Sequence, residues 1–481
     1  MKKSKQTKKN LIQRFFATKW TLILIIAISF LSACKKTEEL SVTTTTPSNI
    51  TETTATLGGE VTSDGGNAVT ERGICLSEEV NPTIDDVVND VTFTMGAGLG
   101  VFTDDYSGFI PNSTIHVRAY ATNSTGTVYG EDKVFTTTAS AACTTVNIPA
   151  NASISTVTNW TAGNVYVLDG TVTVTSTLNI EAGVVVKFKA GARMNIQSSG
   201  KVIALGTSGN RIVFTSIKDD NYCGDTNGDG NATVPAAGDW TCIYLNGAST
   251  ATSINSFTYC DFFYGGANDN PYNNVIRVAV NGSAFTFDNC VFAHTKSVLS
   301  NSASYAFYAG NYMRDNTLSV FTNNTFYDND RPIYLDVKYS MATNNVFYNP
   351  LNPSVKNTRN GIWMYNGGMT SSTTVNWNVT GVPYILDGYF QIKSLNSVLN
   401  IGSNVIVKFL NPSDGILTDN TSLNFDGTTI FTSIKDDVNG GDTNGDGNAT
   451  SPANGDWYGL ENRPLATSTF YHGSNILYAA N

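Results

Sequence analysis

From about Ala55 onward, apolar side chains recur in short runs that alternate with Thr, Ser and Asn, and Gly, Asn, Asp or Pro separates one run from the next. A period of two over about four to eight residues, bounded by turn formers, predicts β-strands with one face buried. Ile115, Val117, Ala119 and Ala121 follow that alternation, Ala55, Leu57, Gly59 and Val61 mark an earlier strand, and Val69, Arg72, Ile74 and Leu76 a less regular one. No stretch pairs a helical apolar spacing with capping residues. Only 14% of residues are charged and 42 are glycine, which favours strands joined by tight turns over helix bundles. The expected class is all-β.

Repetition is the strongest signal beyond about Thr144. Phe214-Thr-Ser-Ile-Lys-Asp-Asp220 returns as Phe431-Thr-Ser-Ile-Lys-Asp-Asp437, and Asp225-Thr-Asn-Gly-Asp-Gly-Asn-Ala-Thr233 returns as Asp442-Thr-Asn-Gly-Asp-Gly-Asn-Ala-Thr450, both shifted by 217 positions. Leu168-Asp-Gly170 matches Leu386-Asp-Gly388, Val185-Val-Lys-Phe188 matches Ile406-Val-Lys-Phe409, and Gly238-Asp-Trp240 matches Gly455-Asp-Trp457. A long unit is therefore duplicated, at about 155–250 and 373–467. Inside it runs a shorter rhythm, Tyr259-Cys-Asp-Phe262, Asn289-Cys-Val-Phe292, Asn324-Thr-Phe326 and Asn345-Val-Phe347. Stacked β-coils produce such a rhythm, each coil burying its apolar side chains against the next while an Asn at the turn bonds the Asn above and below. The phenylalanines are expected to be core.

From about Val146 these coils resemble right-handed parallel β-helix proteins of the carbohydrate-active and adhesin families. Nearer the N-terminus, Ile50-Thr-Glu-Thr-Thr-Ala-Thr-Leu-Gly-Gly-Glu-Val-Thr-Ser-Asp-Gly-Gly66, Arg72-Gly-Ile-Cys75 and Val117-Arg-Ala-Tyr-Ala-Thr-Asn123 resemble the fibronectin type III-like modules of bacterial surface lipoproteins, which serve as spacers. The resemblance departs at Ile115, where such modules carry the tyrosine of the sandwich corner. Gly96, Gly98 and Gly100 lack a surrounding βαβ pattern, so they are expected in a hairpin turn, not a dinucleotide loop. The expected order is a small fibronectin/Ig-like β-sandwich at 44–138, a linker at 139–150 and a right-handed parallel β-helix at 151–481. The sequence stops part way through the second copy, which predicts either a truncated chain or a partner over the last coil.

The first 33 residues carry seven basic and no acidic residues, then an apolar run from Trp20 to Ala33, too short for comfortable bilayer spanning. That is the pattern of a signal peptide. Leu31-Ser-Ala-Cys34 resembles the lipobox of bacterial lipoproteins, which implies an acylated Cys34, a tether at 34–43 and an exported, lipid-anchored protein of the outer membrane or cell surface. Without those 33 residues, 22 basic residues face 39 acidic ones, a net charge of about −17. Such a surface repels phosphate backbones, so nucleic acid is excluded as a partner, and it suits cation binding. Export permits disulfides among Cys75, Cys143, Cys223, Cys242, Cys260 and Cys290. Sequence proximity favours Cys223 with Cys242 and Cys260 with Cys290, though spacing does not fix connectivity, and Cys75 is expected as a buried thiol.

Asp225, Asn227, Asp229 and Gly230 meet positions 1, 3, 5 and 6 of a calcium loop, where alternating oxygen side chains converge on one ion and Gly permits the sharp turn. Asn231 adds its carbonyl, and Asp442, Asn444, Asp446 and Asn448 repeat the set. Ala236 and Ala453 stand where an EF-hand has its bidentate Glu, so Asp239 and Asp456 are the candidates for the missing carboxylate, with Asp220 and Asp437 in reserve. The expected cofactor is structural calcium; a metal-free Asn/Gly turn is the alternative.

Signals for catalysis are weaker. The three histidines, His116, His294 and His472, form no zinc-protease pair, and no Gly-x-Ser-x-Gly elbow is present. Asp328, Asp330 and Asp336 with Arg331 and Lys338 gather near one coil, a candidate for carboxylate chemistry on a sugar or simply a solvated face. Tyr259, Phe263, Tyr264 and Tyr272, then Tyr305, Phe307, Tyr308 and Tyr312, are candidates for stacking on sugar rings. The reading this supports is a non-enzymatic, membrane-anchored binding or adhesion lipoprotein whose partner is a polysaccharide or surface protein. The alternative is a polysaccharide lyase or glycoside hydrolase on the same fold.

Overall fold

The computed structural model describes residues 38–480 apart from 87–90, 141–142, 198, 231, 248–253, 268–272, 280–283, 296–303, 311–318, 366, 370–371, 395, 420 and 464–467. Residues 1–33, the expected signal peptide, and Cys34 lie outside the described residues. Among these the chain is all-β, with no α-helix and with long parallel sheets of the kind a β-solenoid builds. No helix among them is long and apolar enough to cross a membrane.

The N-terminal part forms two antiparallel sheets. One holds Leu40–Thr44, Thr54–Asp64 and Gly100–Ser107; the other holds Val91–Thr94, Glu71–Ser77, Thr114–Asn123 and Gly126–Tyr129, with Lys133–Thr136 also paired to Thr114–Asn123. The alternating apolar positions face one shared core of Ala55, Leu57, Val61, Ile74, Leu76, Val117, Ala119 and Ala121. Ile115 is buried there as plain apolar filling beside Phe135. The glycine run is not a hairpin, because the strands before and after it belong to different sheets. Gly96, Gly98 and Gly100 all have positive φ, and the Arg72 guanidinium donates to the carbonyls of Gly98, Leu99 and Gly100, holding this crossing in place.

From Thr144 the chain visits three sheets in turn and returns to the first. Val185–Phe188, Arg193–Gln197 and Lys201–Leu205 make one such circuit, and Ile212–Ser216 then pairs parallel to Val185–Phe188. Repetition builds a seven-stranded sheet ending at Thr325–Tyr327, a six-stranded sheet ending at Val320–Thr322, and an eleven-stranded sheet from Ser153–Ile154 to Ile430–Ser433. Beyond them, Thr374–Trp377, Val398–Ile401 and Ser422–Asn424 form a three-stranded sheet, and Tyr389–Ile392, Gly415–Thr418 and Gly459–Asn462 stack parallel in a second short one.

In-register stacking puts like on like. Phe214, Phe262, Phe292, Phe326 and Phe347 form a buried column with ring centroids 5.0, 4.9, 4.7 and 5.6 Å apart, so these phenylalanines are core as expected. Spacing near 5 Å is the strand separation of a parallel ladder, and aligned rings fill it without voids. Asparagines form the polar counterpart. Asn329 Nδ2 donates to Asn357 Oδ1 (2.8 Å) and to the Phe292 carbonyl (2.9 Å), while its Oδ1 accepts from Thr295 N (3.1 Å). Asn324 and Asn345 repeat this inside the rod, and Asn376, Asn400 and Asn424 repeat it on the outside.

The two copies of the long unit do not sit on the same face. Asn164–Leu168, Val185–Phe188 and Ile212–Ser216 lie in the seven-stranded sheet, whereas their counterparts Tyr384–Asp387, Ile406–Phe409 and Ile430–Ser433 lie in the eleven-stranded one. The cause is local. After Thr325–Tyr327 the chain adds Arg331–Asp336 to the eleven-stranded sheet and comes back to the seven-stranded one only at a single bridge, Val346 on Thr325, before turning into a small hairpin, Tyr348–Asn349 with Asn352–Lys356, whose Leu351 packs on the N-terminal core; only the eleven-stranded sheet continues unbroken.

Asn329→Ala strips a fully buried ladder of its donor and acceptor, leaving the Phe292 carbonyl and Thr295 N–H unpaired. The expected loss is about 3 kcal/mol in urea unfolding, against under about 0.5 kcal/mol for Asn424→Ala on the exposed ladder.

Candidate metal centre

Each copy inserts one long acidic loop between two strands of the rod, after Ile212–Ser216 and again after Ile430–Ser433. Three devices pin it. At its start, Asp219 accepts from the Thr215 hydroxyl and Asp436 from that of Thr432, both at 2.6 Å. At its end, Trp240 stacks on Phe188 at 4.1 Å and Trp457 on Phe409 at 4.0 Å, and each indole N–H donates to a backbone carbonyl.

Beneath the middle lies a lysine. Lys187 and Lys408 project from their strands to the outside of the sheet, where the loop covers them completely. Lys187 Nζ donates to the Gly224 carbonyl and Thr226 Oγ1, both at 2.8 Å, and Lys408 Nζ to the carbonyls of Asp436 and Gly441 and to Thr443 Oγ1 at 2.7–2.9 Å. Burial lowers both ammonium groups to a pKa of about 8, against the pull of Asp219, Asp220 and Asp225 in one copy and Asp436, Asp437 and Asp442 in the other.

On the lysine's outer side the loop coils around its own first carboxylate. Asp225 accepts from the amides of Gly228 (2.7 Å), Asp229 (3.2 Å) and Gly230 (2.8 Å), and Asp442 accepts from Gly445, Asp446 and Gly447 at the same three distances. Gly228 and Gly230 both have φ near +75°, a conformation that side chains resist. The amide bonds, that from Gly230 first, hold the Asp225 carboxyl below its usual range.

The result is a carboxylate triad in each copy. Oxygens of Asp220, Asp225 and Asp229 lie within 4.8 Å of one another, as do those of Asp437, Asp442 and Asp446. Burial raises the Asp220 and Asp437 carboxyls. One oxygen each of Asp220, Asp229 and Asp437 is buried with no hydrogen-bond donor. Three hard oxygen ligands, with Asn227 or Asn444 at the rim, suit a hard divalent cation such as calcium.

The candidate residues thus divide. Asp225, Asn227 and Asp229, and Asp442, Asn444 and Asp446, come together with Asp220 or Asp437. Asn231 lies outside the described residues, and Asn448 sits exposed at φ +71°. Asp239 and Asp456 stand apart from the triads. Asp239 accepts from Ser216 Oγ (2.7 Å), Lys218 Nζ (2.7 Å) and Ala236 N (2.9 Å), and Asp456 from Ser433, Lys435 and Ala453 in the same way. Lys187 and Lys408 have a visible signal in the sequence, since a lysine interrupts the same apolar strand in both copies.

The loops differ in their outer fastening. Cys223 is disulfide-bonded to Cys143 ahead of the rod, not to Cys242, and Cys260 and Cys290 are buried thiols whose Sγ atoms reach backbone carbonyls. Cys223 sits in a loop that folds back over the first strands, which brings it to Cys143. The second loop has Gly440 at the matching position and is held by Arg359, which donates to the Asn444 carbonyl and pairs with Asp330.

The charged residues near Asp328 do not converge. Asp328 pairs with His294 (2.7 Å), Asp330 with Arg359 (3.0 Å) and Asp336 with Lys338 (3.4 Å), so each carboxylate has its own separate partner. Of the aromatic candidates, Phe263, Tyr305 and Phe307 are buried and Tyr259, Tyr264 and Tyr308 are half-buried; Tyr272 and Tyr312 lie outside the described residues. No family model, curated protein or solved structure matches this chain.

Because the folded chain releases the two lysine protons near pH 8 and the unfolded chain only near pH 10.5, stability in chelator is expected to rise with pH from about 8 until tyrosine ionisation begins near 10. Urea midpoints across that range check it. Lys187→Met combined with Lys408→Met removes the rise.

Proposed function

We propose that the chain is an exported lipoprotein, acylated at Cys34 and held at the outer membrane or cell surface. Its antiparallel N-terminal part acts as a fibronectin type III-like spacer, and a right-handed parallel β-helix stiffened by calcium at both acidic loops is presented to glycan or protein. The observation that carries the calcium reading is the twofold occurrence of the same triad with buried, unpaired carboxylate oxygens. A bare acidic turn has no reason to keep those oxygens from donors, whereas a cation satisfies them and cancels their mutual repulsion. The lipobox-like Leu31-Ser-Ala-Cys34 and the basic, apolar leader support export and anchoring.

The alternative, a polysaccharide lyase or glycoside hydrolase, has less support. A glycosidase needs two carboxylates facing one bond with different protonation, and Asp328, Asp330 and Asp336 are each tied to a separate base. Incubation with plant and algal polysaccharides separates the two readings, since turnover leaves reducing ends or unsaturated products and binding leaves neither.

Calcium at 100 times its Kd is expected to stabilise each site by about 2.7 kcal/mol. The melting temperature should rise accordingly, titration should give two ions per chain, and Asp229→Ala with Asp446→Ala should remove both effects. A melt identical in calcium and in chelator overturns the reading.

A further inference from the structure

The outer face of the eleven-stranded sheet carries a different chemistry from the loops. Tyr244, Arg277, Tyr308, Tyr334 and Trp363 stand beside one another on five successive strands, one per coil at a rise of about 4.8 Å. Their chain neighbours Ile243, Ile276, Phe307, Ile333 and Ile362 face the core, so the row faces outward. Its rings are stacked along the rod: Tyr308 lies on Tyr334 at 5.0 Å and 14°, and the Arg277 guanidinium lies over Tyr308 at 4.8 Å. Arg331 lies over Trp363 at 4.3 Å and over Tyr305 at 5.3 Å. Both faces of Tyr308 are therefore covered by protein. The row offers edges, phenol hydroxyls and guanidinium groups, not open rings for a sugar to stack on.

Neither of those two guanidiniums has a carboxylate in ion-pair contact among the described residues, although Asp387 is near enough to act on the Tyr305 and Tyr334 phenols. Arg211, Arg359 and Arg463 are paired with Asp261, Asp330 and Glu461, whereas Arg277 and Arg331 form no ion pair among the described residues, and the Nε of each is buried without an acceptor. Arg72 and Arg118 also lack an ion pair but spend their N–H groups on backbone carbonyls, whereas Arg277 and Arg331 do neither among the described residues, on a chain with 39 acidic residues. A guanidinium lying over a ring is held in place with its outward N–H groups left to take a carboxylate or sulfate, and in Arg331 a hydrogen bond to the Tyr305 hydroxyl fixes it further. Arg277 and Arg331 are two coils apart, about 10 Å along the rod, and three strand positions apart, about 10 Å across it, because Arg331 pairs with Tyr305 and Arg277 with Tyr308; that suits a linear polymer carrying acid groups at regular intervals and crossing the sheet obliquely. Half-buried Tyr334 and Tyr365 add hydroxyl partners on the same face.

We propose that this row, with Arg331 beside it, is a binding strip for a linear anionic polysaccharide, uronate- or sulfate-bearing, laid obliquely over the sheet with its acid groups on Arg277 and Arg331. The inference rests on the surface-binding function proposed above and names its ligand class. Affinity electrophoresis of the calcium-loaded protein through gels containing chondroitin sulfate, carboxymethyl cellulose or neutral hydroxyethyl cellulose tests it. The anionic polymers should retard the protein and the neutral one should not. Arg277→Gln and Arg331→Gln should each weaken retardation about tenfold, with unchanged melting temperature, and Arg331→Lys should restore it only in part, because the fork is lost while the charge stays. Retardation by the anionic gels that persists in the double variant overturns the strip. Retardation by the neutral polymer alone overturns it while leaving glycan binding standing; no retardation in any gel counts against both. Equal competition by polyglutamate shows that the strip reads charge alone and overturns the polysaccharide assignment.

Discussion

Everything in the rod follows from one constraint, that each strand must lie in register, parallel, on the strand of the coil before it. A parallel ladder places identical positions of successive coils about 4.8 Å apart, so a residue type that packs well on itself is favoured at each column. Phenylalanine does so inside, where the rings from Phe214 to Phe347 stack nearly face to face. Asparagine does so at the corners, where an amide satisfies both the backbone of the coil before it and the amide of the next. A buried polar group is tolerable only when its partners are complete, and the repeating coil completes them automatically.

The acidic loops are departures from that rule, and the buried lysines show how the departure is stabilised. A loop of Asp, Asn and Gly has little apolar surface with which to adhere to a sheet. Lys187 and Lys408 give it an internal cation with several donors, so backbone carbonyls and a threonine hydroxyl of each loop find partners underneath. The desolvation of an ammonium is costly, which is why both lysines titrate well below an exposed one. The arrangement recurs in both copies although the surrounding sheets differ, which marks lysine and loop as one unit.

Much of this was legible in the sequence, for physical reasons. Alternation fixes which side chains face inward, so the core of the antiparallel sheets and the phenylalanine column could be read residue by residue. The repeated acidic motif located both loops. Spacing along the chain does not report where a loop folds back, however, and three things were therefore hidden. Asp239 is near the motif in sequence yet is consumed by Lys218 and Ser216, while Asp220 completes the triad. Cys223 meets Cys143, 80 positions away, instead of a nearer cysteine. The glycines at 96–100 carry the chain between two sheets, because no local pattern distinguishes a crossing from a hairpin.

The offset between the two copies has a structural corollary. All the long faces of the rod are parallel sheets obeying the same stacking rule, so a segment that begins on one face can be set down on the next without altering any of its internal contacts. The quantum by which such a rod lengthens is then a single strand, not a whole circuit. Duplicated segments can be joined at any corner, and an appendage inherited with them is carried around the axis to a new bearing.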